Sequence, residues 1–181
     1  MMGAMLRRVI PLLALSSVLL GAAACSERQA GEIVRFSEGK RPAAPAISGD
    51  LLGGGSYDLA GKQGKVVVIN FWGSWCAPCR AEADDLESTY QATKAKRVAF
   101  IGVNTRDDRD AAVAFERGRV TYPSVYDPDG RVALKFDVTQ VTTPSTLILD
   151  RQGRIAVAMR RATIISELQP LVERVAAEGT G

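Results

Sequence analysis

Along the chain, apolar positions fall into uninterrupted runs and spaced stripes, and each predicts an element. Residues 65–71, Lys65-Val66-Val67-Val68-Ile69-Asn70-Phe71, are β-branched and apolar without alternation, the pattern of a central strand covered on both faces. Residues 98–103 form a second such strand. Between them, residues 77–96 read as a helix. Pro78 stands in its first turn, where a missing N–H costs nothing. Leu86 and Tyr90 lie four apart on one face, and Lys94, Lys96 and Arg97 gather at the C-terminal end, where cations suit the helix dipole. Residues 107–117 read as a second helix and 120–126 as a crossing to a short strand. Asp127-Pro128-Asp129-Gly130 is a turn, with a short helix expected over 131–136. Residues 145–149 and 155–159 predict a hairpin around Asp150-Arg151-Gln152-Gly153. Residues 163–177 close the chain as an amphipathic helix, with Ile164, Ile165, Leu168, Leu171, Val172 and Val175 at helical spacing. Upstream, 47–52 and 56–59 predict a small hairpin across Gly53-Gly54-Gly55. The order strand–helix–strand–helix, hairpin, helix describes an α/β protein. Its central sheet is mixed, with helices on both faces.

The first residues follow a different rule. Arg7 and Arg8 are the only charges before Glu27, and an apolar run from Val9 to Ala24 is broken only by Pro11 and Ser16-Ser17. A basic start, a short apolar stretch and small residues before a cleavage point predict a signal peptide over 1–24. The run is short for a spanning helix, which makes an uncleaved anchor the weaker reading. Leu20-Gly21-Ala22-Ala23-Ala24-Cys25 resembles the lipobox of bacterial lipoproteins, in which the Cys is lipidated and becomes the new N-terminus; Ala22 stands where Leu is commoner. The alternative is ordinary cleavage that leaves Cys25 a spare thiol. Two or more acyl chains at that site would anchor a domain stably. Residues 26–45 are polar and Pro/Ala-rich, which predicts a flexible tether over 25–45 and a single domain over 46–181.

Charge and cysteine count narrow the chemistry. The chain has 23 basic and 20 acidic residues, and loss of Arg7 and Arg8 with the leader leaves a net +1. That balance gives no electrostatic case for nucleic acid. Of three Cys, one fits the lipobox and two lie three positions apart, with no His in the chain. A disulfide scaffold would spread several pairs, and a zinc site would need about four ligands. No metal or cofactor is expected. Cys76 and Cys79 are then either a redox pair or a lone structural bridge.

Their placement favours the first. A Cys-x-x-Cys where a central strand hands over to a helix puts Cys76 at the helix N-terminus, against unpaired N–H groups and the positive end of the dipole. Both favour thiolate over thiol, and the thiolate is the attacking species in disulfide exchange. Cys79 lies one turn on, on the same face. Trp75 and Pro78 are expected to form apolar surface around an exposed Cys76.

The run from Asn70 to Glu82, Asn70-Phe71-Trp72-Gly73-Ser74-Trp75-Cys76-Ala77-Pro78-Cys79-Arg80-Ala81-Glu82, resembles the active-site block of the membrane-tethered thioredoxin-like proteins of the TlpA/ResA/DsbE group. Val141-Thr142-Thr143-Pro144-Ser145 and the residues to Asp150 resemble the loop and strand carrying that group's cis-proline. Gly102-Val103-Asn104, Arg109-Asp110 and Thr121-Tyr122-Pro123 resemble its helical insertion. The resemblance spans roughly residues 45–176 and implies a thioredoxin-like fold with a short N-terminal hairpin. It makes Cys76 the nucleophile, Cys79 the resolving thiol, and Thr143 with cis Pro144 part of the substrate groove beside Trp75 and Pro78. Glu82 matches an acidic residue that could relay protons to Cys79 if buried; otherwise it is a solvated first-turn acid. Asn70 stands where thioredoxin has a buried Asp, which removes one titratable relay. Phe71 reads as core, and Trp72 as either core or substrate platform.

The implied activity is thiol–disulfide exchange with protein thiols outside the cytoplasm, by a monomer anchored in the bacterial cell membrane. Its usual direction is reduction, as of apocytochrome c haem-site thiols, with electrons from a membrane partner; some relatives run as oxidases. Competing readings are a copper carrier, disfavoured by the lack of His; a peroxidase, which would need a Thr-x-x-Cys loop; and a domain whose Cys pair is inert.

Overall fold

The computed structural model describes residues 33–178, so the leader and Cys25 lie outside the described residues. Among the described residues there are eight strands: β1 (Ile33–Arg35), β2 (Ser48–Asp50), β3 (Ser56–Asp58), β4 (Val66–Trp72), β5 (Val98–Thr105), β6 (Ser124–Asp127), β7 (Ser145–Leu149) and β8 (Ile155–Met159). Four α-helices accompany them: α1 (Ala77–Thr93), α2 (Arg109–Glu116), α3 (Arg131–Lys135) and α4 (Ile165–Ala177). Six strands form one sheet in the order β1-β8-β7-β4-β5-β6, and β2-β3 is a separate hairpin. The β4-β5-β6 part is parallel, and β4-β7, β7-β8 and β8-β1 are antiparallel. The mixed sheet, the hairpin and the helical insertion thus stand where the sequence placed them.

All seven residues of β4 are buried, as an apolar run without alternation requires. Its alternate side chains feed two cores. Val67, Ile69 and Phe71 join Val132 and Phe136 of the α3 region with Ile47 and Tyr57 of the hairpin region. Val66 and Val68 join Leu86 of α1 and Leu168, Leu171, Val172 and Val175 of α4. Each large apolar side chain buried this way contributes about 1.5–3 kcal/mol.

The N-terminal boundary is a correction. The expected tether includes fold: β1 pairs with β8, Ile33 opposite Met159 and Arg35 opposite Val157. Further along, the Ile155 N–H donates to the Pro42 carbonyl at 2.8 Å and the Ala44 N–H to the Gly153 carbonyl at 3.0 Å. Arg41, its side chain 5% exposed, is paired with Asp150 at 3.2 Å and with Glu178 at 2.6 Å. The domain therefore begins by Ile33, well before residue 46. A three-residue strand joined through backbone groups has no side-chain period to read. Helix α4 also starts later than expected, at Ile165, because the backbone is still extended at its N-cap Ile164.

Candidate active site

Strand β4 ends at Trp72, and four residues later Cys76 caps the first turn of α1: its Sγ accepts from the Cys79 N–H at 3.2 Å. The two cysteines are joined as a disulfide with Cα atoms 5.3 Å apart. Once the bond is broken, a thiolate at Cys76 would keep that N–H and the helix N-terminus as its stabilisers.

The expected exposure of Cys76 is corrected. Cys76 is 4% exposed and Cys79 3%. Both sit in a small cluster with Leu52, Trp72 and Ala112, because two segments close over the helix start. The loop after β2 is one: the Leu52 N–H donates to the Ser124 carbonyl at 2.9 Å, and Arg109 donates to the carbonyls of Leu51 and Leu52. Helix α2 is the other. Trp75 and Pro78 are exposed, as expected. Trp75 lies back over Gly73, where a Cβ would fall inside the indole, and its Nε1 donates to the Thr105 carbonyl at 3.3 Å. Trp72 is buried and packs on Phe115, which resolves it as part of the core around the disulfide.

Glu82 is buried, 1% exposed. One turn after Cys79 on α1, it faces inward with that residue. Its Oε1 accepts from Asn70 Nδ2 at 2.8 Å and its Oε2 from the Thr163 N–H at 2.9 Å. Burial pushes its carboxyl up to about 7; these two donors pull the other way, and the Asp85 charge adds to the rise. Asn70, which cannot titrate, is the residue that holds the one that can. The same Nδ2 donates to Thr146 Oγ1 at 3.1 Å, tying β4 to β7.

The Thr143–Pro144 peptide bond is cis. Phe71 pairs with Ser145, so Pro144 stands at the C-terminal end of β4, the end from which the chain runs to Cys76. Thr143 is buried, and its hydroxyl donates to the Thr139 carbonyl at 2.6 Å.

Asp107 escaped the sequence reading. Its carboxylate accepts from the Ser74 N–H and from Ser74 Oγ at 2.7 Å, and from Asn104 Nδ2 at 2.7 Å. It fastens the loop before Cys76 to the loop before α2. In sequence, Asp107 and Asp108 offer only a helix start, and Asp108 is the residue that caps α2.

Residues 41–158 match the family described as AhpC/TSA. The chain is 40% identical over 96 residues to the thiol:disulfide interchange protein DsbE homolog of Paracoccus denitrificans, covering 52% of this chain and 50% of that one. It is 33% identical over 137 residues to the thiol:disulfide interchange protein HelX of Rhodobacter capsulatus, covering 71% and 74%. In structure it is similar to a secreted thiol-disulfide isomerase from Corynebacterium glutamicum, with a TM-score of 0.78, 31% identity, and 84% and 95% of the two chains covered. The chain spans between 50% and 59% of the length of the first three curated relatives it matches. The family model matches more than half of the chain, and the disulfide at the β4–α1 junction and the cis-proline opposite stand on a thioredoxin-like fold: this chain belongs to the AhpC/TSA family.

Proposed function

We propose that the chain is an extracytoplasmic thiol–disulfide oxidoreductase that reduces protein disulfides through Cys76 and Cys79. The observation that carries this reading is one arrangement: a helix-capping Cys76 disulfide-bonded to Cys79, with the buried carboxyl of Glu82 a turn beyond.

In the reduced protein, the Cys76 thiolate attacks one sulfur of a substrate disulfide. That S–S bond breaks, a mixed disulfide forms, and one substrate thiolate leaves. Cys79 gives its proton to the Glu82 carboxylate and attacks Cys76 Sγ, releasing the second substrate thiolate. Two electrons pass to the substrate, and a membrane dithiol donor restores the pair. Glu82, with its affinity for a proton raised to near neutral pH, suits a group that takes and returns one proton per cycle. Trp75, Pro78, Thr143 and Pro144 form the groove for an extended substrate segment. The haem-site thiols of apocytochromes c are the substrate class that the family resemblance implies, and a lipid at Cys25 is the proposed anchor.

A buried acid close to Cys79 disfavours thiolate there, which weakens the dithiol form and favours a reductant. The test is equilibrium with a redox buffer. A potential at or below about −270 mV is expected, and one near the DsbA end of the scale, about −120 mV, would overturn the direction. Hydrogen peroxide consumption, the activity a peroxidase would show, is expected to be negligible. Mass spectrometry of protein extracted from membranes should find diacylglycerol on Cys25; an unmodified N-terminus would rule out the anchor.

A further inference from the structure

A second carboxyl lines the cavity that Cys79 borders. Glu116 ends helix α2, half-buried, and accepts a hydrogen bond from the Ser124 hydroxyl. Ser124 Oγ in turn accepts from Trp72 Nε1 at 3.2 Å. With its proton directed to Glu116, the hydroxyl keeps a lone pair for the indole. Phe115, one residue earlier in α2, packs against Trp72 with ring centroids 5.5 Å apart. The end of α2 thus grips Trp72 by an apolar contact and by a hydrogen-bonded chain.

The sheet is shaped for this chain. Gly102 of β5 pairs with both Asn70 of β4 and Ser124 of β6. A Cβ at Gly102 would collide with Ser124 Oγ and Trp72 Nε1. The absence of a side chain there is what lets the indole N–H reach the hydroxyl across the strand. Beside the chain is a cavity of about 10 Å³, lined by Trp72, Cys79 and Glu116 among others. Cys79 therefore borders a void that Trp72 and the residue that holds Trp72 in place also line.

We propose that Glu116 is a positioning residue that keeps the resolving thiol covered: acting through Ser124, it holds Trp72 against Cys79. The proposal rests on the reading of Cys76 as attacker and Cys79 as resolver. A loosened Trp72 would open the cavity and expose Cys79 to attack out of order, trapping a mixed disulfide on the wrong sulfur.

The test is site-resolved alkylation of the reduced full chain by iodoacetamide at neutral pH, read by peptide mass spectrometry. In the unmodified protein Cys76 should react far faster than Cys79. Glu116→Leu and Ser124→Ala each cut the chain at a different link, so misfolding of one leaves the other informative. Each should raise the Cys79 rate by about threefold to tenfold, the range for one lost buried hydrogen bond, while the Cys76 rate stays within about twofold. Glu116→Gln, which retains an acceptor for Ser124, should keep the original selectivity. Unchanged Cys79 reactivity in both cutting variants, or a parallel rise at both cysteines, would overturn the role of Glu116. Equal reactivity of the two cysteines in the unmodified protein would instead overturn the assignment of attacker and resolver.

Discussion

In β4, Val66 to Ile69 lie among apolar neighbours on both faces of the sheet, whereas Asn70 and Trp72, four and six residues on from Val66 in the same buried strand, are bound into hydrogen-bonded chains that end on carboxylates. Burial is the same at both ends, and the neighbours differ. The first half holds the sheet to its helices. The second half brings polar groups into the low-dielectric region beside the disulfide, where each must be satisfied. Substitutions in the first half should therefore change stability and leave the sulfur chemistry alone, while those in the second should change the chemistry.

The sharpest break is Cys76→Ser. Removing the nucleophile should lower the rate of insulin disulfide reduction by at least about a thousandfold, with the melting temperature of the reduced protein nearly unchanged. Next is Leu168→Ala, in the core shared by β4, α1 and α4. It should cost about 2–5 kcal/mol in urea unfolding, and the reduction potential of the folded fraction should not move.

Glu82 lies between these extremes because its effect depends on pH. Its folded pKa, about 7, is above its ordinary value of 4.5. The folded protein therefore holds a proton that the unfolded chain releases. The resulting stability is present below pH 4.5 and is lost as pH rises through 7, to an extent of about 3 kcal/mol. Glu82→Gln should flatten unfolding free energy across that window and slow the resolving step. A profile as steep as the parent's would show that another group is titrating.

The smallest effect expected is from Arg41→Ala. It removes a buried ion pair with Asp150, but Asp150 keeps Arg154 and two backbone N–H donors. A loss of about 1–3 kcal/mol is expected, with alkylation of Cys76 unaffected.

Legibility in the sequence followed the same division. The strands β4 and β5, helix α1 and helix α4 were readable because apolar runs and stripes have a period. The Cys pair was readable because its chemistry depends on a short spacing and one junction. Burial of Glu82 was not, since it requires Thr163, 81 residues away, to bring its N–H to the carboxyl. Ser124 and Glu116 look like unremarkable polar residues until Gly102 is seen to leave room between them and Trp72. The cover over Cys76 is not legible either, because the Leu52 loop and α2 close over it from parts of the chain with no local tie to it. β1 was lost inside a stretch whose composition reads as linker.

That pairing of β1 with β8 sets a working radius. Were the domain free up to residue 45, a lipid at Cys25 would give it a leash of about 70 Å when fully extended. With Ile33 already bound to the sheet, eight residue steps remain, at most about 28 Å. A lipid-anchored form would patrol only the layer next to its own bilayer, within reach of donors embedded there and of chains emerging beside it, and out of reach of proteins that diffuse further away.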